Sequence, residues 1–365
     1  MNLSLFNYNL PRELIAQTPA EPRDTSGLLV YERKTGALHH DKFFNLSKYL
    51  RADDVLVFNN TKVFPARLIM RKLTGGKIEI FLLKKIKSCF WECLIGGKIK
   101  DVRKLEITCL PARQGKQKTG TRLVGEIIKK IDESRWLIKF NLKEKKFFDF
   151  IDKYGEVPVP PYITKFARHS LGEGELRQKY QTVYAKYFGS VAAPTAGFHF
   201  TKKLLAQIKK MGIAEEFVTL HVGLGTFAPV KTEQIETHKM HAEVAQINKK
   251  TCDFLNAAKK EGRRIIAVGT TTARTLEAAV DKNCKLKPIN KKVNIFIYPG
   301  YKFKFVDALM TNFHLPKSTL LMLVAAFLGQ KKNKSAGIKI MQKIYAVAIK
   351  KKYRFYSFGD GMMIE

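Results

Sequence analysis

The sequence of 365 residues predicts an α/β fold: one large domain built from both ends of the chain, with a small β-barrel inserted. Three observations carry that expectation. From Tyr154 onward, short apolar runs alternate with helix-period segments. Between Leu68 and Tyr154 the chain reads as strands and turns with no helix between them. Ahead of that block stands Val55-Leu56-Val57-Phe58, a β-branched apolar run that reads as a buried strand. The expected boundaries are 1–67 with 155–365 for the α/β domain and 68–154 for the barrel.

Within the insert, Lys77 to Leu83, Phe90 to Ile95, Leu105 to Leu110, Arg122 to Ile131 and Arg135 to Leu142 read as strands. Trp91, Cys93 and Ile95 fall on one face, as do Trp136, Ile138 and Phe140. Gly75-Gly76, Gly96-Gly97, the stretch 111–120 and Asp132-Glu133-Ser134 supply the breaks. The Lys-rich segment Lys143 to Lys153 leads out. Beyond it, helices are expected at Thr201 to Lys210, Thr251 to Lys260, Thr272 to Val280, Ser318 to Leu328 and Gly337 to Lys350. Strands are expected at Phe217 to His221, Arg264 to Val268 and Val293 to Ile297. The alternation predicts a largely parallel sheet.

Hydrophobic residues make up 45% and charged residues 27%, which excludes an intrinsically disordered chain. Lys and Arg total 66 against 32 Asp and Glu, a net charge of +34. Such a charge favours a polyanionic partner, nucleic acid first and an anionic membrane surface second. A general lysine bias of surfaces is the plain alternative. The segment 68–154 carries 22 basic and 10 acidic residues, and Ala308 to Gly359 has no acidic residue. Both are candidate RNA surfaces. The five cysteines are scattered, so free thiols in a reducing cytoplasm are expected. No signal peptide is read at the N-terminus. The longest apolar run, Leu320 to Leu328, is nine residues, far short of a membrane span of about twenty.

The chemistry points to loops at strand ends. Ile266-Ala267-Val268-Gly269-Thr270-Thr271-Thr272 joins a strand to a helix, where free N–H groups and Thr hydroxyls suit an anion. Val222-Gly223-Leu224-Gly225-Thr226-Phe227 is a second glycine turn. A plain N-cap and a tight corner explain each one taken alone. His199, His221, His241 and His314 lie in separate loops, which makes a shared acid–base cleft the candidate site. His238 and His241 with Glu243 have metal-ligand spacing, but no Cys or carboxylate cluster completes a cage, so no metal is expected.

A series of motifs then runs nearly end to end. It includes Tyr8-Asn9-Leu10-Pro11, Leu56 to Val63, Pro65-Ala66-Arg67, Pro158 to Ile163, Tyr180 to Ala185 and Ala193 to Thr201. It continues through Leu220 to Gly223, Gly225-Thr226-Phe227, Met240 to Glu243, Val268 to Thr271 and Arg274 to Glu277. It closes with Thr311 to Leu323 and Tyr353 to Asp360. In this series the chain resembles the S-adenosylmethionine:tRNA ribosyltransferase-isomerases of queuosine biosynthesis. Asn60 stands where Asp is expected in that family, and Ala228 where Arg is expected.

The resemblance implies transfer of the ribosyl part of S-adenosylmethionine to 7-aminomethyl-7-deazaguanine at the wobble position of tRNA, giving epoxyqueuosine with release of adenine and methionine. It implies acid–base groups drawn from His199, His221, His241, Glu243, His314 and Asp360. Gly223, Gly225, Gly269, Thr270, Thr271 and Arg274 become candidates for holding S-adenosylmethionine, and Asn59, Lys62 and Arg67 for the RNA. S-adenosylmethionine is a co-substrate here, with no bound prosthetic group and no membrane partner. A cytoplasmic monomer is expected. An S-adenosylmethionine-dependent RNA methyltransferase and a non-catalytic RNA-binding protein are the competing readings. The first lacks its glycine-rich strand-loop with a following acidic residue. The second leaves the histidine loops unexplained.

Overall fold

A computed structural model describes residues 1–72, 76–96, 122–223, 230, 232–330 and 333–365. The expected strand Leu105 to Leu110, the stretch 111–120, Gly225 and Ala228 lie outside the described residues. The chain divides into two compact units, Met1–Lys62 with Pro160–Glu365 and Val63–Val159. The inserted unit extends five residues further at each end than the sequence boundaries.

Before the insert come β1 (Gly27–Tyr31), β2 (Leu38–Lys42), β3 (Val55–Asn59) and β4 (Thr61–Val63). The smaller unit carries β5 (Arg67–Arg71), β6 (Lys77–Lys87), β7 (Phe90–Gly96), β8 (Gly125–Lys130), β9 (Arg135–Phe140) and α1 (Glu144–Tyr154). The chain then returns through α2 (Lys165–Lys179), β10 (Tyr187–Ser190), α3 (Lys202–Lys210), β11 (Ala214–His221), β12 (Glu243–Ile247) and α4 (Lys249–Lys260). It ends with β13 (Ile265–Val268), α5 (Thr270–Ala279), β14 (Ile289–Val293), β15 (Ala308–Asn312), α6 (Thr319–Leu328), α7 (Lys334–Lys350) and β16 (Gly361–Ile364).

The larger unit is an α/β fold on a nine-stranded sheet, ordered β14-β12-β11-β3-β13-β15-β16-β1-β2. Its centre, β11, β3, β13 and β15, is parallel throughout. β3 and β13 are buried on both faces and read as apolar runs, whereas β11 carries Glu215 and Glu216 in a half-buried first half and is buried only from Val218 to Leu220. Val55, Val57, Ile265, Ala267 and Leu309 face one core cluster, with α4 to α7. Leu56, Phe58, Ile266, Val268 and Met310 face another, with Leu204 and Ile208 of α3 and with Phe43 and Leu46. α6 is apolar on all sides and is buried from Leu321 to Leu328. It meets α7 backbone to backbone, and a Cβ at Gly337 would lie 2.2 Å from the Ala325 carbonyl oxygen.

The sheet is less parallel than the alternation predicts. β12 is antiparallel to both β11 and β14, β15 to β16, and β1 to β2. No helix separates β1 from β2, and among the described residues between β11 and β12 there is only the short 3-10 turn Ile235–Thr237, so those returns need no parallel crossover. Nor does β14 lie at Val293 to Ile297. It spans Ile289–Val293, where Asn290, Lys291 and Lys292 are exposed on an edge strand.

In the smaller unit the described strands form an open antiparallel sheet, β5-β6-β7-β9-β8. Ile78, Ile80 and Leu82 alternate inward, as do Trp91 and Cys93. The Lys-rich exit segment is the helix α1, with Phe147, Phe150 and Ile151 buried at helical spacing. Phe147 packs 5.2 Å from Trp91 and 5.0 Å from Phe140, ring centre to ring centre.

Candidate active site

The four central strands run the same way, so His221, Asn59, Val268 and Asn312 mark one carboxyl edge of the sheet. Open parallel sheets place ligand clefts at such edges. A narrow cleft opens there, with a core volume of about 70 Å³. It is lined by Thr195, Val222, Gly269, Thr270, Thr271, Asn312, His314, Ser318, Tyr356 and Ser357, among others. A smaller recess formed by His238, His241, Glu243 and Arg274 shares Leu320 with it.

Helix α5 begins at the cleft wall with Gly269, whose φ of 95° lies in the region glycine adopts without strain. Glycine has no side chain with which to cap the helix, so the first N–H groups of α5 are left for another acceptor. By contrast Thr201, Asn248, Ser318 and Asn333 cap α3, α4, α6 and α7 with side-chain oxygens. The Thr271 hydroxyl is buried with no hydrogen-bond partner among the described residues, and so is Nη2 of Arg274, one helical turn on. The Arg274 Nη1 donates to Glu243 Oε2 at 2.7 Å, and Glu243 Oε1 accepts the Gly223 N–H at 3.1 Å. Both members of this pair are buried. Removal of either would leave an unpaired buried charge.

The histidines divide into two kinds. His314 lines the cleft but is buried, its Nε2 2.7 Å from the Thr311 hydroxyl. Burial holds its pKa down at about 3, so the ring is neutral near pH 7. His199 sits behind the cleft, stacked on Phe43 at 4.8 Å. Asn312 Nδ2 approaches its Nε2 at 3.2 Å, and its Nδ1 lies 2.8 Å from Ser26 Oγ. Since the amide donates, Nε2 accepts and Nδ1 carries the proton toward Ser26. Thr195 Oγ1 donates to Asn312 Oδ1 at 2.9 Å, which fixes the amide. Burial, with Arg354 and Arg23 adding repulsion, holds His199 at about 3.

His221 and His241 are more open. His221 is half-buried, with Nδ1 2.9 Å from Thr61 Oγ1 and Nε2 without a partner among the described residues. Its ring lies against the backbone of Gly189, where a Cβ would come within 2.7 Å. Burial lowers its pKa from the ordinary value and keeps it neutral. His241 is exposed in the recess beside His238.

Other candidates are placed elsewhere. The Asp360 carboxylate accepts the backbone N–H groups of Gly27 and Arg354, both at 2.8 Å, and lines a second cavity with Lys42, Lys351 and Lys352. It clamps a turn and is not gathered into the cleft. Asn59 is fully buried and spends its amide on Leu220 and Thr61 inside the sheet. Lys62 stands 4.3 Å over the Phe188 ring. Arg67 belongs to the smaller unit, where Glu79 and Glu156 hold it at 2.7 and 2.6 Å. Ser26, Thr61, Thr195 and Asn312 were not singled out as site residues by the sequence. Three of them fall inside the quoted motifs, where an Asn or Thr at a strand end is unremarkable, and Ser26 leaves no signal at all.

A family model described as queuosine biosynthesis protein matches residues 3–364. A protein of Thermoanaerobacter named S-adenosylmethionine:tRNA ribosyltransferase-isomerase is 48% identical over 366 residues, covering 100% of both chains. One of the same name from Fusobacterium nucleatum is also 48% identical, covering 99% of this chain and 96% of the other. A crystal structure of S-adenosylmethionine tRNA ribosyltransferase from Thermotoga maritima is similar at 35% identity and a TM-score of 0.53, over 99% of this chain and 100% of that one. With the match running through both the strand-end loops and the sheet that carries them, the chain belongs to the queuosine biosynthesis protein family.

Proposed function

We propose that this protein is an S-adenosylmethionine:tRNA ribosyltransferase-isomerase. It moves the ribosyl part of S-adenosylmethionine onto 7-aminomethyl-7-deazaguanine at the tRNA wobble position, yields epoxyqueuosine, and releases adenine and methionine. One observation carries the reading: an uncapped helix start, with a Thr271 hydroxyl and an Arg274 nitrogen that have no partner among the described residues, lies at the carboxyl edge of the sheet. These donors suit the carboxylate of the methionyl end. Glu243 holds Arg274 in place and is itself fixed by the Gly223 N–H.

The sulfonium acidifies the C5′ hydrogens, so a neutral imidazole is base enough to start the reaction. His221 has that form, and its open Nε2 is the proton acceptor in this reading. Departure of adenine needs a hydrogen-bond donor, and the incoming amine must lose protons. His241 is the group available for those tasks, while the buried His314 and His199 act as neutral hydrogen-bond partners of Thr311 and Asn312. Lys62 is the RNA candidate with an outward position, on a chain whose net charge of +34 draws in tRNA from solution. No metal or prosthetic group enters this reading, and the enzyme acts as a cytoplasmic monomer. Incubation with S-adenosylmethionine and precursor-loaded tRNA tests it. Adenine and methionine are the expected products, and S-adenosylhomocysteine would overturn the reading in favour of methyl transfer.

A further inference from the structure

β4 and β10 pair as a two-stranded ribbon, tied to the sheet edge where Lys186 and Tyr187 donate their N–H groups to the Asn60 carbonyl. Three aromatic residues are exposed among the described residues, and two of them are consecutive on this ribbon: Tyr187 at 48% and Phe188 at 50%. Each ring has a lysine over it. Lys62 Nζ is 4.3 Å from the Phe188 ring centre, and Lys186 Nζ is 5.3 Å from that of Tyr187. The next residue, Gly189, is the one pressed against the His221 ring.

We propose that Tyr187 and Phe188 are a stacking platform for unpaired bases of the tRNA anticodon loop, with Lys62 and Lys186 meeting the adjoining phosphates. The proposal rests on the tRNA reading above and adds the surface that takes the loop. Chemistry on a wobble base requires that base to leave its stack, which strands its two neighbours. Aromatic faces are the common replacement, because every base has a π-face to offer. Consecutive strand residues point to opposite sides, so the ribbon offers one ring for each stranded neighbour. An apolar protein partner would have to bury both lysines without counter-charges, whereas an RNA loop uses ring and charge together. Gly189 then sets the flipped base beside His221, one residue beyond the platform.

The test uses the full-length protein and a precursor-loaded anticodon stem-loop with 2-aminopurine beside the modified base. Quenching of that fluorophore on binding is expected. Tyr187→Ala and Phe188→Ala should each weaken binding roughly 5- to 150-fold with unchanged Tm. Tyr187→Phe and Phe188→Trp should restore affinity. The alanine variants should keep the salt slope, while Lys62→Ala lowers it by about 0.7. Wild-type affinity and quenching in the double alanine variant would overturn the platform, and adenine release by the wild-type protein would still leave the function standing. Failure of the wild-type protein to release adenine from loaded tRNA would instead bring down the function itself.

Discussion

The interior behind the cleft and the rim beside it both carry histidines, yet they use them differently. His199 and His314 are buried and already hydrogen-bonded, and burial holds both at about 3. In the reading proposed above they are fixed neutral spacers. His221 and His241 keep an open side, and His221 has one nitrogen anchored and the other available. Residue type alone does not sort these four histidines, whereas burial separates the two enclosed rings from the two with an open side.

The strongest way to break this comparison is at the rim. His221→Ala should lower turnover by about 10²–10⁴-fold with folding intact, since that is the range for a general acid or base. In steady-state assays, full activity in that variant together with a folded but dead His314→Ala would reverse the two roles. A second effect separates the ligand donors from the histidines. Thr271→Ala and Arg274→Lys should weaken S-adenosylmethionine binding, by about 10- to 150-fold where the lost bond is to a charged group, and leave tRNA affinity nearly unchanged. Calorimetry and a filter-binding titration check this. Loss of tRNA binding with S-adenosylmethionine affinity kept would make the α5 start a phosphate site.

A third effect is in stability. His199 and His314 have folded-state pKa values below the unfolded value of about 6.5, so the unfolded chain takes up protons first as pH falls. Stability from these two groups is present above pH 6.5 and is lost as pH falls from there toward about 3, at roughly 1.4 kcal/mol per pH unit per group. Urea melts from pH 7 to 4 measure it, and His199→Gln should flatten the curve. The smallest effect concerns Asp360. Asp360→Asn should cost about 1–3 kcal/mol of stability, by weakening the clamp on Gly27 and Arg354, with little change in S-adenosylmethionine affinity. A large loss of that affinity would place Asp360 back in the site.

Much of this architecture was legible where a segment's local pattern and its burial agree. β3 and β13 are apolar because both faces are covered, and α3 carries its Thr201 cap in the sequence. Segments whose burial depends on distant partners were not legible. The polar edge strand β2, Leu38-His39-His40-Asp41-Lys42, has no apolar pattern to reveal it. In α1 the lysines masked an apolar stripe of Phe147, Phe150 and Ile151. The site followed the same rule. Thr270 and Thr271 could be placed from the strand–glycine–helix order, whereas the link from Ser26 through His199 to Asn312 joins residues 173 and 113 positions apart. No local signal carries such a link.

The pairing of β1 with β16 has a consequence for how the protein is made. Leu28 to Tyr31 lie alongside Gly361 to Ile364, and β16 also holds β15 on its other side. A ribosome must therefore have delivered residue 364 before the sheet can join its two flanks. Val63–Val159 is contiguous and can fold earlier in synthesis. Until then β1 and β2 wait as an unpartnered hairpin with an open strand edge, a hazard for aggregation. A nascent chain stalled before residue 361 should be protease-resistant in β5 to β9 and α1 of the inserted unit and cut readily in β1 and β2, with protection arriving in one step once β16 has emerged.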